Sequence, residues 1–468
     1  MSFADFILQH EGDDPVRLLL SRDKYSDIDL DLAVTTLEVR KKLKTKVPEW
    51  YAVPSLVYPS RLSGEQCSSS ETARYKARVC GSSILPEPSL CDPSHKWAPP
   101  GSRETVFPPI VPQGTSALRG AAEGGHRFGE YTAPAKDRLK IADLTGGMGV
   151  DAWAFSSVAE EVLYNEMQEE LMEATRLNFR ELGVENVRFS CKKVEVGRVK
   201  EVLDGFEPDV VFLDPARRGE DGRKVFLIEE CQPDVVGLLP ELFEVSRFVM
   251  VKLSPMADIT MACKRLSHVK EVHVVAAGGE CKELLFVLDR EWEGDFIVFA
   301  VENGSVMEIP GQAGNDGSGQ AGNGGARHGR PDRPSEVLCD GRILFEPGKA
   351  LAKAGAFDLP CTQFGMRKLG VHTHLYTGEA VPEGLEPFGK WFEIVEVLPL
   401  NNRTMKEAGK RWPQAEVTAR NVPMTSDLLR KKTGCSSGGD IHLFGVRADG
   451  GAEAGNYLIV TKKRYGTD

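Results

Sequence analysis

No run of eighteen or more apolar residues occurs anywhere in the 468-residue chain, which excludes a membrane-spanning helix. The opening MSFADFILQHEGDD lacks a basic stretch followed by an apolar core, so no secretory signal is read there. Ten cysteines include no C-x-x-C pair, and the nine histidines gather only once, at His372 and His374 in VHTHLY. These absences argue against a structural zinc or a disulfide framework and suit a reducing compartment, so the cytoplasm is the expected location. Alternation along a strand puts the two histidines on one face, but two ligands alone fall short of a metal site, and no metal is expected. Aromatic residues are 8% of the chain, and no RNP-type aromatic pattern for stacking RNA bases is present.

What is present reads as a globular chain of two or three domains, with 41% hydrophobic and 27% charged residues. The net charge of -11 disfavours a globally adhesive nucleic-acid binder. Its distribution is uneven. From Asn401 onward there are twelve Lys and Arg against seven Asp and Glu, so a basic segment sits on an acidic body.

The composition divides the chain into five stretches. Residues 1–80 read as helices, and Ser68 with Glu71 forms a capping-box signature for the last of them. Residues 81–136 are rich in Pro, Gly and Ser and read as an insertion. Over 137–290, strands and helices alternate from LKIADL to DITMACKRLS, which predicts a parallel, doubly wound sheet. That rhythm ends at VKEVHVVAAGGECKELLFVLD, where two strands meet at a Gly-Gly turn, so an antiparallel hairpin is expected at the sheet edge. Residues 291–397 suggest a ferredoxin-like α+β unit interrupted by a glycine-rich insertion at 310–336, and 398–468 form the basic terminal unit.

A mostly parallel sheet with a terminal antiparallel hairpin resembles the Rossmann-like sheet of class I methyltransferases that use S-adenosylmethionine. The expected fold class is accordingly α/β, with an N-terminal helical region and C-terminal α+β domains. In IADLTGGMGVD, Asp143 ends the first strand and Gly146, Gly147 and Gly149 form the turn into a helix. Ligands of such sheets sit outside the carboxyl ends of the strands, and a Cβ at these positions would hold the backbone away from one. GMGVDA also satisfies a loose dinucleotide fingerprint, a nicotinamide or flavin reading opposed by the acid before the glycines and by the hairpin. Glu166 follows Asp143 by twenty-three residues and suits the ribose hydroxyls. Thr145, Asp151, Met167 and Cys191 complete the candidate cofactor set around these strand ends.

VVFLDPARRG places Asp214 and Pro215 at the end of an apolar strand, with Arg217 and Arg218 behind them. The motif is similar to the Asn/Asp-Pro-Pro-aromatic motif of base-modifying methyltransferases, with Arg217 in the aromatic's place. Asp-Pro-x-Arg also resembles RNA uridine C5 methyltransferases, which need a cysteine nucleophile on the next strand. There this chain offers Ser254 in VKLSP, and Cys263 further along reads as a packing residue. Positioning catalysis remains, with Asp214 as acceptor or base and Arg217 and Lys252 supplying positive charge. EQCSSSETARYKA is similar to the segment that precedes the glycine turn in several base-modifying methyltransferases. That likeness implies Gln66, Ser68 and Thr72 near the cofactor, with Cys67 where an aromatic is usual.

With LFEPGKALAKAGAF, HTHLYT and GGDIHLFG added, the whole order resembles a bacterial group of class I methyltransferases that carry ferredoxin-like and C-terminal THUMP-like domains. The resemblance implies S-adenosylmethionine as cofactor and a structured tRNA or rRNA as partner, with Arg411, Arg420, Arg430, Lys431 and Lys432 as RNA contacts. A non-catalytic RNA-binding protein with a degenerate methyltransferase fold, or a methyltransferase acting on a small molecule or protein, is the alternative reading.

Overall fold

A computed structural model describes residues 1–83, 139–216, 228, 231–310, 342–449 and 454–464. The two insertions at 81–136 and 310–336 fall almost wholly outside the described residues, as do Arg217 and Arg218. The chain divides into two compact units, Met1–Val272 with Glu283–Phe296, and His273–Lys282 with Ile297–Asp468.

The first unit opens with helices α1 (Phe3–Gln9), α2 (Pro15–Leu20), α3 (Leu30–Lys46), α4 (Pro48–Tyr51), α5 (Arg61–Gln66) and α6 (Ser70–Ser83). Asp29 starts α3 by accepting the Leu32 N–H at 3.1 Å. The helix then buries Ala33, Val34 and Leu37 against Phe6, Ile7 and Leu18. For α6 the sequence suggested Ser68 as the cap. The cap is instead Ser69, whose hydroxyl accepts the Thr72 N–H at 3.2 Å, because Ser68 is drawn into a buried charge cluster.

The alternation that follows gives β1 (Leu139–Asp143), α7 (Val150–Ser156), β2 (Ala159–Asn165), α8 (Glu169–Glu181), β3 (Val187–Ser190), α9 (Val199–Leu203) and β4 (Val210–Leu213). It continues through α10 (Val235–Val245), β5 (Phe248–Leu253), α11 (Ile259–Arg265), β6 (Val269–Ala277) and β7 (Glu280–Asp289). The strands lie in the order β3-β2-β1-β4-β5-β7-β6. The first five are parallel, and β7 runs antiparallel to β5. The central strands are covered on both faces: all four residues of β4 are buried, as its unbroken apolar sequence requires.

The N-terminal helices belong to this body. Asn178 on α8 exchanges two hydrogen bonds of 2.8 Å with the backbone of Val57. Trp50 meets Trp153 of α7 edge to face at 6.0 Å, and the Arg74 guanidinium of α6 lies over the Trp153 ring.

The hairpin turns at Gly278 and Gly279, both at positive φ as a tight two-residue turn demands. It does not end the sheet. Its distal half belongs to the second unit, where β8 (Ile297–Glu302) and β9 (Ser305–Ile309) follow β6 in the strand order.

The second unit continues with β10 (Ile343–Pro347), α12 (Lys349–Lys353), α13 (Leu359–Thr362), β11 (Arg367–Gly370), β12 (Thr373–Gly378) and β13 (Gly389–Pro399). It ends with α14 (Asn402–Arg411), β14 (Glu416–Arg420), α15 (Ser426–Thr433), β15 (Ile441–Ala448) and β16 (Gly455–Lys463). These seven strands make one sheet in the order β11-β12-β10-β13-β16-β15-β14, parallel only between β14 and β15. β13 pairs with β10 on one side and β16 on the other, joining the stretches on either side of residue 397 in one layer.

The helices α14 and α15 cross in backbone contact. A Cβ on Gly409 would stand 1.7 Å from the Thr433 carbonyl oxygen, so only glycine fits there. Gly409→Ala should lower the unfolding free energy by about 1–3 kcal/mol through overpacking. Gly12→Ala, with no atom within 4 Å of the added carbon, should change it little. Thermal unfolding of the two variants checks this, and equal midpoints would contradict the contact.

Candidate active site

β1 and β4 are neighbours, so Asp143 and Asp214 stand at adjacent strand ends. Thr145 stitches them together. Its N–H donates to Asp143 Oδ1 at 3.1 Å, and its hydroxyl oxygen accepts the Asp214 N–H at 2.6 Å. Asn165, at the end of β2, holds the other side. Its amide donates to the carbonyls of Leu144 and Lys192 at 3.1 and 2.9 Å, and its own carbonyl accepts the Gly146 N–H at 2.8 Å. Sequence reasoning missed Asn165, since an amide beside an acid in YNE carries no distinguishing pattern.

The glycines of the turn have different reasons. A Cβ on Gly146 would lie 2.1 Å from the Tyr164 ring, and one on Gly149, at φ +85°, would lie 2.6 Å from Thr175. Packing alone therefore already demands glycine at those two positions, beside the ligand approach that the sequence suggested. Gly147 differs: it is left-handed like Gly149, at φ +54°, but its Cβ would meet nothing closer than 4.0 Å. Tyr164 pins the turn by donating its hydroxyl to the Gly147 carbonyl.

Glu166 is buried and held by two backbone donors, Gly147 N–H on Oε2 at 3.0 Å and Gln168 N–H on Oε1 at 2.9 Å. Each oxygen retains a lone pair for a further donor. Beside it, Met167 and Cys191 are exposed, and the Cys191 thiol faces the Met167 carbonyl at 3.8 Å.

A cluster of buried charge stands behind these strand ends. Lys76 of α6 has no exposure at all. Its ammonium donates to both oxygens of Glu283 on β7 at 2.8 and 3.0 Å, and to the Ser68 hydroxyl at 3.0 Å. It also lies 3.1 Å from Asp151 Oδ1 in the first turn of α7, while Ser68 donates to Asp151 Oδ2 at 2.8 Å. Lys252 on β5 bonds Asp214 Oδ2. Burial alone would drag the Lys252 ammonium down, but Asp214, Glu283 and Asp151 outweigh it and hold the group above the usual lysine range. Asp143 is the reverse case. Burial first, then Asp151, Asp214 and Glu166, push its carboxyl well above the ordinary range, against the pull of the Thr145 N–H.

The structure thus brings together Asp143, Thr145, Gly147, Asp151, Glu166, Asp214, Lys252 and Ser68 from the residues singled out in the sequence, with Met167 and Cys191 at the rim. Pro215 is buried beside Asp214. Gln66 is exposed at the end of α5, and Thr72 is buried, donating to the Ser69 carbonyl at 3.3 Å. Ser254 accepts the Met256 N–H at 3.1 Å, and the half-buried Cys263 thiol is pushed up to about 12 by burial and Asp258, so neither is set up as a nucleophile. Lys76 and Glu283 escaped the sequence reading because their partners lie far along the chain, the two being 207 residues apart. Among the described residues no group of three or more His, Cys, Asp or Glu could hold a metal.

In the second unit, Arg411, Arg420 and Arg430 pair with Glu396, Glu346 and Glu416 at 2.7, 2.7 and 3.2 Å. Lys431 and Lys432 are exposed on α15, the latter reaching Asn402 of α14 at 3.4 Å. His372 is exposed, and His374 stacks on Phe357 at 3.9 Å.

Removing Lys76 would leave Glu283 and Asp151 buried without their cation, a loss of about 3–5 kcal/mol by comparison with other broken buried pairs. Lys76→Met should therefore lower the stability of the full chain by that order, and Lys76→Met with Glu283→Met should recover a part of it. Denaturant unfolding measures both, and a single variant as stable as the wild type would contradict the cluster.

Comparison with known proteins bears on the fold. A family model for a ferredoxin-like domain matches residues 344–384, and one for a THUMP-like domain matches 389–463. A candidate methyltransferase from Porphyromonas gingivalis W83, known as a crystal structure, is 27% identical, with a TM-score of 0.71 over 98% of this chain and 97% of that one. An uncharacterized RNA methyltransferase of Enterococcus faecalis is 31% identical over 22% of this chain and 23% of its own length. Another from Clostridium acetobutylicum is 30% identical over 25% of this chain and 31% of its own. The chain spans less than a third of the length of these curated relatives. The protein thus carries the class I methyltransferase fold on its glycine turn and β5-β7-β6 order, with ferredoxin-like and THUMP-like segments behind it.

Proposed function

We propose that this protein transfers a methyl group from S-adenosylmethionine to a base in RNA. The observation that carries the reading is the Thr145 hydroxyl on the Asp214 N–H at 2.6 Å, which fixes the glycine turn and the Asp-Pro motif side by side at the carboxyl ends of β1 and β4. That is where an open α/β sheet receives its ligand. The residues present fit the cofactor. Gly147 has open space where a side chain would begin, and Asp143 Oδ2 is buried with no hydrogen-bond partner among the described residues.

Glu166 would take the ribose hydroxyls on its remaining lone pairs. Asp143, Thr145, Asp151 and Ser68 would surround the amino-acid end, and Met167 with Cys191 would border the base. The cofactor supplies an electrophilic methyl on a sulfonium. Asp214, whose Oδ2 is held by Lys252, offers Oδ1 as acceptor for an N–H of the target, which orients the nucleophile in line and receives its proton. Pro215 and the adjoining backbone hold that acceptor rigid. Arg217 is assigned to the polyanionic side of the substrate. In the second unit, Lys431 and Lys432 are the candidate phosphate contacts, with Arg411, Arg420 and Arg430 available by exchange of their acidic partners. RNA as the substrate rests on the THUMP-like match and on relatives named RNA methyltransferases.

Calorimetry with S-adenosylmethionine should show binding to the full chain and none to Gly147→Asp, which puts a carboxylate into the open side of the turn. Tritiated methyl should pass to total bacterial RNA, and Asp214→Ala should slow that transfer by about 10²–10⁴. Absence of binding to the intact chain would overturn the cofactor. Label in protein or metabolite fractions with none in RNA would overturn the substrate.

A further inference from the structure

Among the described residues of the first unit, Asp143, Asp151, Glu166, Asp214 and Glu283 gather in one acidic site, and four of them have strong partners. Glu166 has two backbone N–H donors, Asp151 has Lys76 and Ser68, Glu283 has Lys76, and Asp214 has Lys252. Asp143 is the exception. It is 1% exposed, its Oδ1 accepts one N–H at 3.1 Å, and its Oδ2 has no partner among the described residues.

Among the described residues no cation bonds this carboxylate, and in its ionised form it faces like charges from Asp151, Asp214 and Glu166. Asp151 lies on α7, Glu166 and Tyr164 belong to β2 and its end, and Asp214 ends β4. Lys76 and Lys252, the described lysines that bond these acids, are held by carboxylates other than Asp143. Desolvation of an unpaired charge is costly, and such a group resolves the conflict by binding a proton.

We infer that Asp143 is the receptor for a cationic group of the bound cofactor, and that the site takes up this cation by giving up the proton of Asp143. This rests on the cofactor reading above and goes beyond it, because it makes binding a proton exchange. The charge balances: one cation enters, one proton leaves the carboxyl for the buffer, and the buried site keeps the same net charge. The raised proton affinity of Asp143 agrees in sign, since a group protonated in the free protein and ionised in the complex makes affinity rise with pH. Both the sulfonium and the α-ammonium are candidate cations. S-adenosylhomocysteine keeps only the second.

Calorimetry of the wild type at a series of pH values from 6.5 downward, in buffers of different ionisation enthalpy, counts the protons directly, below the range where a free α-amino group titrates. A substantial fraction of one proton should be released per cofactor bound, and affinity should rise by up to tenfold per pH unit. Asp143→Asn should bind with no release and a flat pH dependence. Release with both ligands assigns the ammonium, and release with S-adenosylmethionine alone assigns the sulfonium. Tight binding without proton release by the wild type, or the same release by Asp143→Asn, would overturn the inference and leave the cofactor reading standing. Failure of both ligands to bind would overturn both.

Discussion

The ammonium of Lys76, without any contact to solvent, holds the first unit together in a way that apolar packing cannot. It arrives on α6 from the N-terminal helices and is shared by Asp151 of α7 and Glu283 of β7, so three distant pieces of chain must meet at one point. A buried cation is tolerable only with such partners, and the partners only with the cation. That mutual requirement makes the helical segment a constituent of the candidate site, beyond the apolar contacts of Trp50 and Trp153.

The same electrostatic constraint organises the chemistry. Asp151 and Glu283 also act on Lys252, which grips Asp214, so alternating charges run from the N-terminal helices to the Asp-Pro motif. Thr145 and Asn165 then fix the backbone of the glycine turn against this frame without charge, through hydrogen bonds alone. The result is a site with most of its polar groups satisfied before a ligand enters, which is what low reorganisation cost demands of the methyl transfer proposed above. Asp143 is the acid left over.

Much of this was legible in the sequence. The alternation of strand and helix from Leu139 to Asp289, the Gly-Gly hairpin and the candidate acids Asp143, Glu166 and Asp214 at the strand ends follow from local patterns. Glycine showed where the turn is but not why each glycine is there: Tyr164 and Thr175 exclude side chains at Gly146 and Gly149, and only packing reveals that. Ser68 and Ser69 offer the same hydroxyl to the cap of α6, and the choice is made by Asp151, 83 residues away from Ser68. The hairpin's place within the strand order depends on β8, beyond the reach of a pattern in its own sequence. In the second unit, basic residues were visible, but their acidic partners were not, because Glu346, Glu396 and Glu416 come beside them only across strands and helices.

The most direct measurement is a structure of the full chain crystallised with S-adenosylhomocysteine. The account predicts the ribose on Glu166, the chain of the ligand passing over Gly147, and its amino group at Asp143. Density for the ligand in another part of the molecule, or a Glu166 carboxylate that makes no contact with it, would contradict the account.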